Sequence, residues 1–177
     1  MENQKTIDAL NKLITIIMTE LKVMKLLPKE TEEADLKTLF ANLMATSQKC
    51  KRELEAEVMA LGGEPSEGTK ASGKFFRAWM DVKAALTGKD RKAILNSCEF
   101  GEDAAIKTYE NVMEDDTRHF NDMQETMVND QFSLLLADHN TVKSLRDAPR
   151  KCLSRGLNKF YSTLIQWFIG HIIQVFL

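Results

Sequence analysis

The chain has 177 residues, 44% of them apolar and 28% charged, with a formal net charge of −2. Its 8 glycines and 3 prolines are too few for a β-sandwich or barrel, which needs a turn about every 8–12 residues, and the apolar share excludes collagen-like, low-complexity and wholly disordered chains. All 26 acidic residues lie at or before Asp147, with 20 of the 24 Lys and Arg, so residues 1–147 carry −6 and offer no basic field to a nucleic-acid backbone.

The first predicted helix runs from about Thr6 to Leu27. Ile7, Leu10, Ile14, Ile17, Leu21 and Met24 recur at steps of three and four, the period of an amphipathic helix, and Pro28 stops it. The second begins near Thr31, read as an N-cap, with Glu32, Glu33 and Asp35 in the positive first turn. Its stripe is Leu36, Leu39, Leu43, Cys50, Leu54, Val58 and Leu61, and Gly62-Gly63 ends it. Residues 62–89 then hold five of the eight glycines, with Pro65 and a short helical run of Phe75, Phe76, Trp79, Val82 and Leu86. Trp79 and Phe76 are expected to cover the side of the bundle.

The third helix starts after Gly88 with Asp90 as cap and carries Ile94, Cys98, Ala105, Tyr109 and Val112. Glu114-Asp115-Asp116-Thr117 breaks it. The fourth follows with Phe120, Met123, Met127, Leu134, Leu135, Val142 and Leu145, and Pro149 stops it. Met24, Met123 and Met127 read as core filling. Two short hairpins joined by one long crossover form the ferritin-like topology, in contrast to an up-down bundle with short loops throughout. The expected architecture is therefore all-α: a ferritin-like four-helix bundle over residues 1–149, its crossover at 62–89 carrying a short helix, followed by a C-terminal fifth helix.

The tail, residues 150–177, holds Arg150, Lys151, Arg155 and Lys159 and no acid, a charge of +4. Leu157, Tyr161, Leu164, Phe168, Ile172 and Val175 fit a helical stripe. A fifth helix packed on the bundle or on a second subunit is the favoured reading. A membrane-surface helix, a C-terminal membrane anchor and a reading-frame artefact stay open beside it. Three cysteines without a CxxC pair (Cys50, Cys98, Cys152) argue against a disulfide framework and a zinc site. Reduced thiols in a cytoplasmic protein are expected. The start, MENQKTIDAL, lacks the basic and then apolar run of a secretory signal, and no segment before residue 160 approaches a membrane span.

A bundle core carries chemistry only where polar groups face inward. In ferritin-like di-iron proteins two helices each supply a Glu and two others a Glu-x-x-His, because residues i and i+3 share a face and can reach one metal pair. That pattern is broken here. Leu136 stands three before His139, Asp116 stands three before His119 at a bundle end, and the second helix has no histidine. What remains is Glu99 and Glu102 on the third helix, Gln131, Asp138 and His139 on the fourth, Glu53 and Glu57 on the second, and Glu20 at the stripe edge of the first. Glu20, Glu53, Glu99, Glu102, Asp138 and His139 form a candidate set for a hard metal ion, iron or manganese. The favoured expectation is plainer: no cofactor, and a buried polar network in which Arg52 or Lys49 pairs Glu102. The run GGEPSEG lacks the ending of a phosphate loop, and no Ser or Cys sits in a nucleophile context.

The segment from Glu53 to Met113 resembles a bacterial family of ferritin-like four-helix-bundle proteins catalogued as a domain of unknown function. The shared marks are Glu53-Leu54, Gly62-Gly63-x-Pro65, Gly73, Arg77-x-Trp79, and Gly101-Glu102-Asp103 followed by Tyr109. Leu10-Asn11 and Leu13-Ile14 fit as well, and so does Asp138-His139 leading to Leu145-Arg146-Asp147, so the likeness covers about residues 6–147. It implies a ferritin-like bundle that self-associates, with a dimer favoured. It implies no reaction. The expected function is a non-enzymatic, self-associating bundle without a complete di-iron site, and the alternative is a metal-binding protein using the inward carboxylates and His139.

Overall fold

The structure is a computed structural model that describes residues 2–68, 77 and 90–148. Four long helices lie among them: α1 (Glu2–Met24), α2 (Ala34–Ala60), α3 (Arg91–Asp115) and α4 (Asp122–Asp147). Described residues include no strand. The crossover helix around Phe75–Leu86 and the tail 150–177 lie outside the described residues. The chain divides into two units, Met1–Arg146 and Asp147–Leu177, and the bundle is the first.

Helix α1 is buried on two sides. Besides its stripe of Leu10, Ile14, Ile17, Leu21 and Met24 it also buries Ala9, Leu13 and Val23, and its backbone packs closely on both α2 and α3. Fully burying each such aliphatic side chain stabilises the fold by about 1.5–3 kcal/mol, so α1 is the axis of the assembly. Pro28 falls in a 3₁₀ turn, Leu27–Lys29, after the helix has ended at Met24.

Thr31 is not the N-cap of α2. Its hydroxyl accepts the Glu33 N–H at 3.1 Å, which closes a local turn and delays the helix to Ala34, with Glu33 at the cap. Glu33 and Asp35 instead serve a tertiary contact: both carboxylates take the guanidinium of Arg91, Asp35 at 2.6 Å. This hydrogen bond holds Asp35 below the usual carboxylate range. It also pins the start of α3 beside the start of α2.

Helix α2 ends in a Schellman motif. Gly63 N–H reaches Val58 O at 2.9 Å and Gly62 N–H reaches Met59 O at 3.0 Å, with Gly62 at φ +78°, a left-handed conformation that favours glycine. The chain then climbs along α1. A Cβ on Gly63 would come 2.9 Å from Ile7. Asn11 Nδ2 donates to Glu64 O at 3.0 Å while its Oδ1 accepts Ser66 N–H at 2.7 Å. The Thr15 and Ser66 hydroxyls meet at 2.8 Å. Ile7, Asn11, Thr15 and Met18 thus form a track that carries the crossover away from the end of α2.

At the same end of α1, Lys12 pairs with Asp116 at 2.8 Å and Thr6 Oγ1 donates to His119 O at 2.6 Å, so the α3–α4 turn also sits beside the start of α1. Helix α4 opens on a capping box: Asn121 Oδ1 accepts Gln124 N–H and Gln124 Oε1 accepts Asn121 N–H, both at 2.9 Å. Helices α2 and α3 consequently start at the same end, and α1 and α4 start at the other. This is the two-hairpin, one-crossover arrangement expected from the loop lengths.

The register of α4 differs from the expected one. Met123 is 83% exposed and Leu134 is exposed as well, so Met123 is not core filling. The inward face is Gln124, Val128, Gln131, Leu135 and Val142, with Asp138 and His139 half-buried on the same side. Apolar positions 128, 135 and 142 alternate with polar positions 124, 131 and 138, each series spaced by seven residues. Gln131 and Asp138 were expected on this face; Gln124, buried as well, was not.

The buried apolar residues fall into two clusters. One holds Leu10, Leu13, Ile14, Ile17, Leu54, Val58, Tyr109, Val112, Val128 and Leu135. The other holds Val23, Met24, Leu36, Phe40, Leu43, Ile94, Leu95, Cys98 and Val142. Polar residues from all four helices lie at the level between them.

Candidate functional site

Helical spacing builds this middle level. Glu20 follows Ile17 by three on α1, Ser47 lies between Leu43 and Cys50 on α2, Glu102 lies between Cys98 and Ala105 on α3, and Asp138 lies between Leu135 and Val142 on α4. Each position belongs to its helix's inward face. Glu20 is 2% exposed and Glu102 3%.

Three of the six candidate ligands are brought together. The charge of Asp138 acts on Glu20, and those of Glu20 and Asp138 act on Glu102. Burial, reinforced by these like charges, pushes Glu102 up to about 9. Burial pushes Glu20 up to about 8, against the opposing hydrogen bond of Ser47. Asp138 is raised too, again chiefly by burial, and Thr46 hydrogen-bonds it in opposition. Ser47 Oγ also donates to Leu43 O at 3.1 Å.

The atoms left over are informative. Both carboxylate oxygens of Glu102, Oε2 of Glu20 and Nδ1 of His139 are buried without a hydrogen-bond partner. An unmet buried polar atom costs about 1–3 kcal/mol, more if charged. The pairing of Glu102 with Lys49 or Arg52 is not found: Lys49 stands 3.6 Å from Glu53, Arg52 is exposed, and Glu102 keeps no partner.

The other candidates are drawn elsewhere. Glu53 accepts from Gln131 Nε2 at 2.9 Å. Glu99 is ion-paired with Arg146. His139 turns Nδ1 toward Asp103 Oδ1 at 3.5 Å, too long for a hydrogen bond. Glu57 accepts from Gln124 Nε2 at 2.7 Å. A second polar group therefore sits beside the carboxylates. Tyr109, fully buried, donates to Gln131 Oε1 at 2.8 Å, and Gln131 Nε2 donates to Glu53 and, at 3.3 Å, to Cys50 O. Desolvation pushes the Tyr109 phenol up and the Cys50 thiol to about 12. Both Cys50 and Cys98 are free, buried thiols and stay protonated.

Whether these residues suit a metal can be tested on the donors. The donors are of the hard-cation type: two buried carboxylates with unmet oxygens, Glu20 and Glu102, the half-buried Asp138 and one imidazole at the flank. The arrangement is open, and among the described residues no group of three or more His, Cys, Asp or Glu could hold a metal ion as it stands. Ligation requires Glu20, Glu102 and Asp138 to close in. Thr46, Ser47 and Asp103 escaped the sequence reading. Ser47 was legible in principle, because 43, 47, 50, 54 and 58 keep helical spacing.

Two antiparallel hairpins, one long crossover and a polar level inside the core define a ferritin-like four-helix bundle. The fold is similar to the crystal structure of an archaeal dps-homologue from Halobacterium salinarum, with a TM-score of 0.65 over 84% of this chain and 83% of that one, at 18% sequence identity. The chain belongs to the family described as a domain of unknown function (DUF2383), whose model matches residues 5–115. That match spans α1 to α3 and stops before Asp138-His139 and Arg146-Asp147. No curated protein matches the chain. No helix among the described residues is long and apolar enough to cross a membrane.

Proposed function

We propose that the protein is a self-associating, non-enzymatic ferritin-like bundle that holds one hard divalent cation, iron or manganese, in its carboxylate level, without a complete di-iron set. The observation that carries this reading is Glu102, whose two buried oxygens have no partner while the charges of Glu20 and Asp138 act on it. A cation supplies the positive charge that would let all three carboxylates ionise inside an apolar core. Glu20, Glu102 and Asp138 bind it. Ser47 and Thr46 orient two of these carboxylates, and the apolar clusters on either side exclude water.

One ion is favoured over two because Glu53 and Glu99, which a second ion would need, are engaged by Gln131, Lys49 and Arg146. Self-association follows the family likeness, and exposed Met59, Met123, Leu134 and Leu136 give it apolar surface on α2 and α4. Free thiols at Cys50 and Cys98 agree with a reducing cytoplasm.

Metal analysis of the purified full chain, combined with mass measurement in solution, tests the reading. About one manganese or iron per chain in a dimer is expected, with the metal lost in Glu102→Gln. A chain without metal, even after Mn²⁺ is supplied, overturns cation binding and leaves a protonated polar network. Two metals per chain restore the di-iron set.

A further inference from the structure

Helices α2 and α4 leave a groove of about 450 Å³ between them, lined among others by Lys49, Asp130 and Leu134. The α2 bank carries Asn42, Ala45, Lys49, Arg52 and Ala56, all exposed, and its charges are basic. The α4 bank carries Asp130, Leu134, Ala137 and Thr141, exposed as well, with Met127 half-buried beside them, and its charge is acidic. Both series advance by alternate steps of three and four, so each keeps to one side of its helix.

Inside the chain these charges are little used. Lys49 reaches Glu53 only at 3.6 Å, and Glu53 already accepts from Gln131 at 2.9 Å. Among the described residues, no ion pair or side-chain hydrogen bond engages Arg52 or Asp130. Ala45, Ala56, Leu134 and Ala137 surround these charges with apolar surface.

A second copy of the chain supplies what both banks lack. A two-fold axis makes every contact occur twice, so laying α2 of one copy on α4 of the other also does the reverse. Lys49 and Arg52 then oppose the partner's Asp130, and the same contact repeats across the axis. The area suffices. Helices of 27 and 26 residues make a face about 40 Å long and about 20 Å wide, which matches the ~800 Å² each partner gives to a standard interface.

We propose that the α2–α4 face is the surface on which two copies of this chain pair, with Lys49 and Arg52 opposite the partner's Asp130. This rests on the self-associating reading above and is independent of cation binding.

The test measures the mass of the full chain by sedimentation across a concentration series in chelator. The wild-type chain should be a dimer. Asp130→Lys sets like charges against each other across the axis and should raise the dimer dissociation constant at least about tenfold. Lys49→Glu combined with Arg52→Glu should do the same. Mixed together, these two variants should form a heterodimer, because opposite charges then meet at both contacts. A dimer unchanged in both variants overturns this face while self-association stands. Two weakened variants that do not pair when mixed overturn it as well, since α2 then does not meet the partner's α4. A wild-type chain that stays monomeric at every concentration overturns self-association, and the face falls with it.

Discussion

Two polar groups lie side by side in the core of this bundle, and they are built in opposite ways. In the first, Tyr109, Gln131, Glu53 and the Cys50 carbonyl exchange donors and acceptors until the Gln131 amide is satisfied on both ends. In the second, Glu20, Glu102 and Asp138 supply acceptors almost without donors, and three carboxylate oxygens remain unmet. The first is a structural joint: a phenol, an amide and a carboxylate tie α2, α3 and α4 together where α4 lacks close backbone packing. The second has no such use as a joint. A cluster that is all acceptor must take up protons or a cation, and that requirement separates a site from a scaffold.

The strongest way to break this contrast is pH. Glu20 and Glu102 have folded values of about 8 and about 9 against an ordinary 4.5. Between these limits the folded metal-free chain keeps a proton that the unfolded chain has released. Stability is then full below about pH 4.5 and falls as pH rises through 8 and 9, by up to about 1.4 kcal/mol per pH unit for each group. Urea midpoints measured in chelator from pH 5 to 9 should decline, and Glu102→Gln should flatten the decline. A level wild-type profile would show that the second group is satisfied after all.

Next in size is the joint. Gln131→Ala strands the Tyr109 hydroxyl and removes the donor to Glu53, and should cost about 3 kcal/mol in urea unfolding. Tyr109→Phe should cost about 1–2 kcal/mol. Neither should change the pH slope. A slope altered by Tyr109→Phe would mean that the two groups titrate as one network.

Metal sharpens the comparison from the other side. Mn²⁺ at about one hundred times its Kd should raise stability by about 2.7 kcal/mol, read as a shift in Tm. The shift should survive Tyr109→Phe and vanish in Glu102→Gln. The smallest effect concerns the register that separates the inward from the outward face of α4. Met123→Gln should alter stability by less than about 0.5 kcal/mol, while Val128→Ala, at a buried position of the same helix, should cost about 1–2 kcal/mol.

Much of this was legible in the chain. Pro28, Gly62-Gly63 and Asp90 bound α1, α2 and α3 within a few residues, because a missing N–H, a left-handed turn and a cap are local chemistry. Loop lengths alone led to the crossover, and tracking of Ser66 and Gly63 along α1 agrees with it. Helix α4 was legible only in part: spacing places Gln131 and Asp138 on its inward face, but Gln124 was passed over, and Met123 and Leu134, which are exposed, were assigned to the core because apolar spacing alone does not tell which face is covered. At the site, Glu20, Glu102 and Asp138 could be singled out by spacing, but Glu53 and Glu99 were indistinguishable from them.

The sequence by itself determined the helices, their order and the ferritin-like topology, since periodicity and turn residues act over a few positions and each can be read where it stands. Only the tertiary structure decided which carboxylates face a partner and which face one another. Arg146 is 47 residues from Glu99 and Gln131 is 78 from Glu53. Whether a buried acid is neutralised depends on such distant donors, and no local pattern in the chain encodes them.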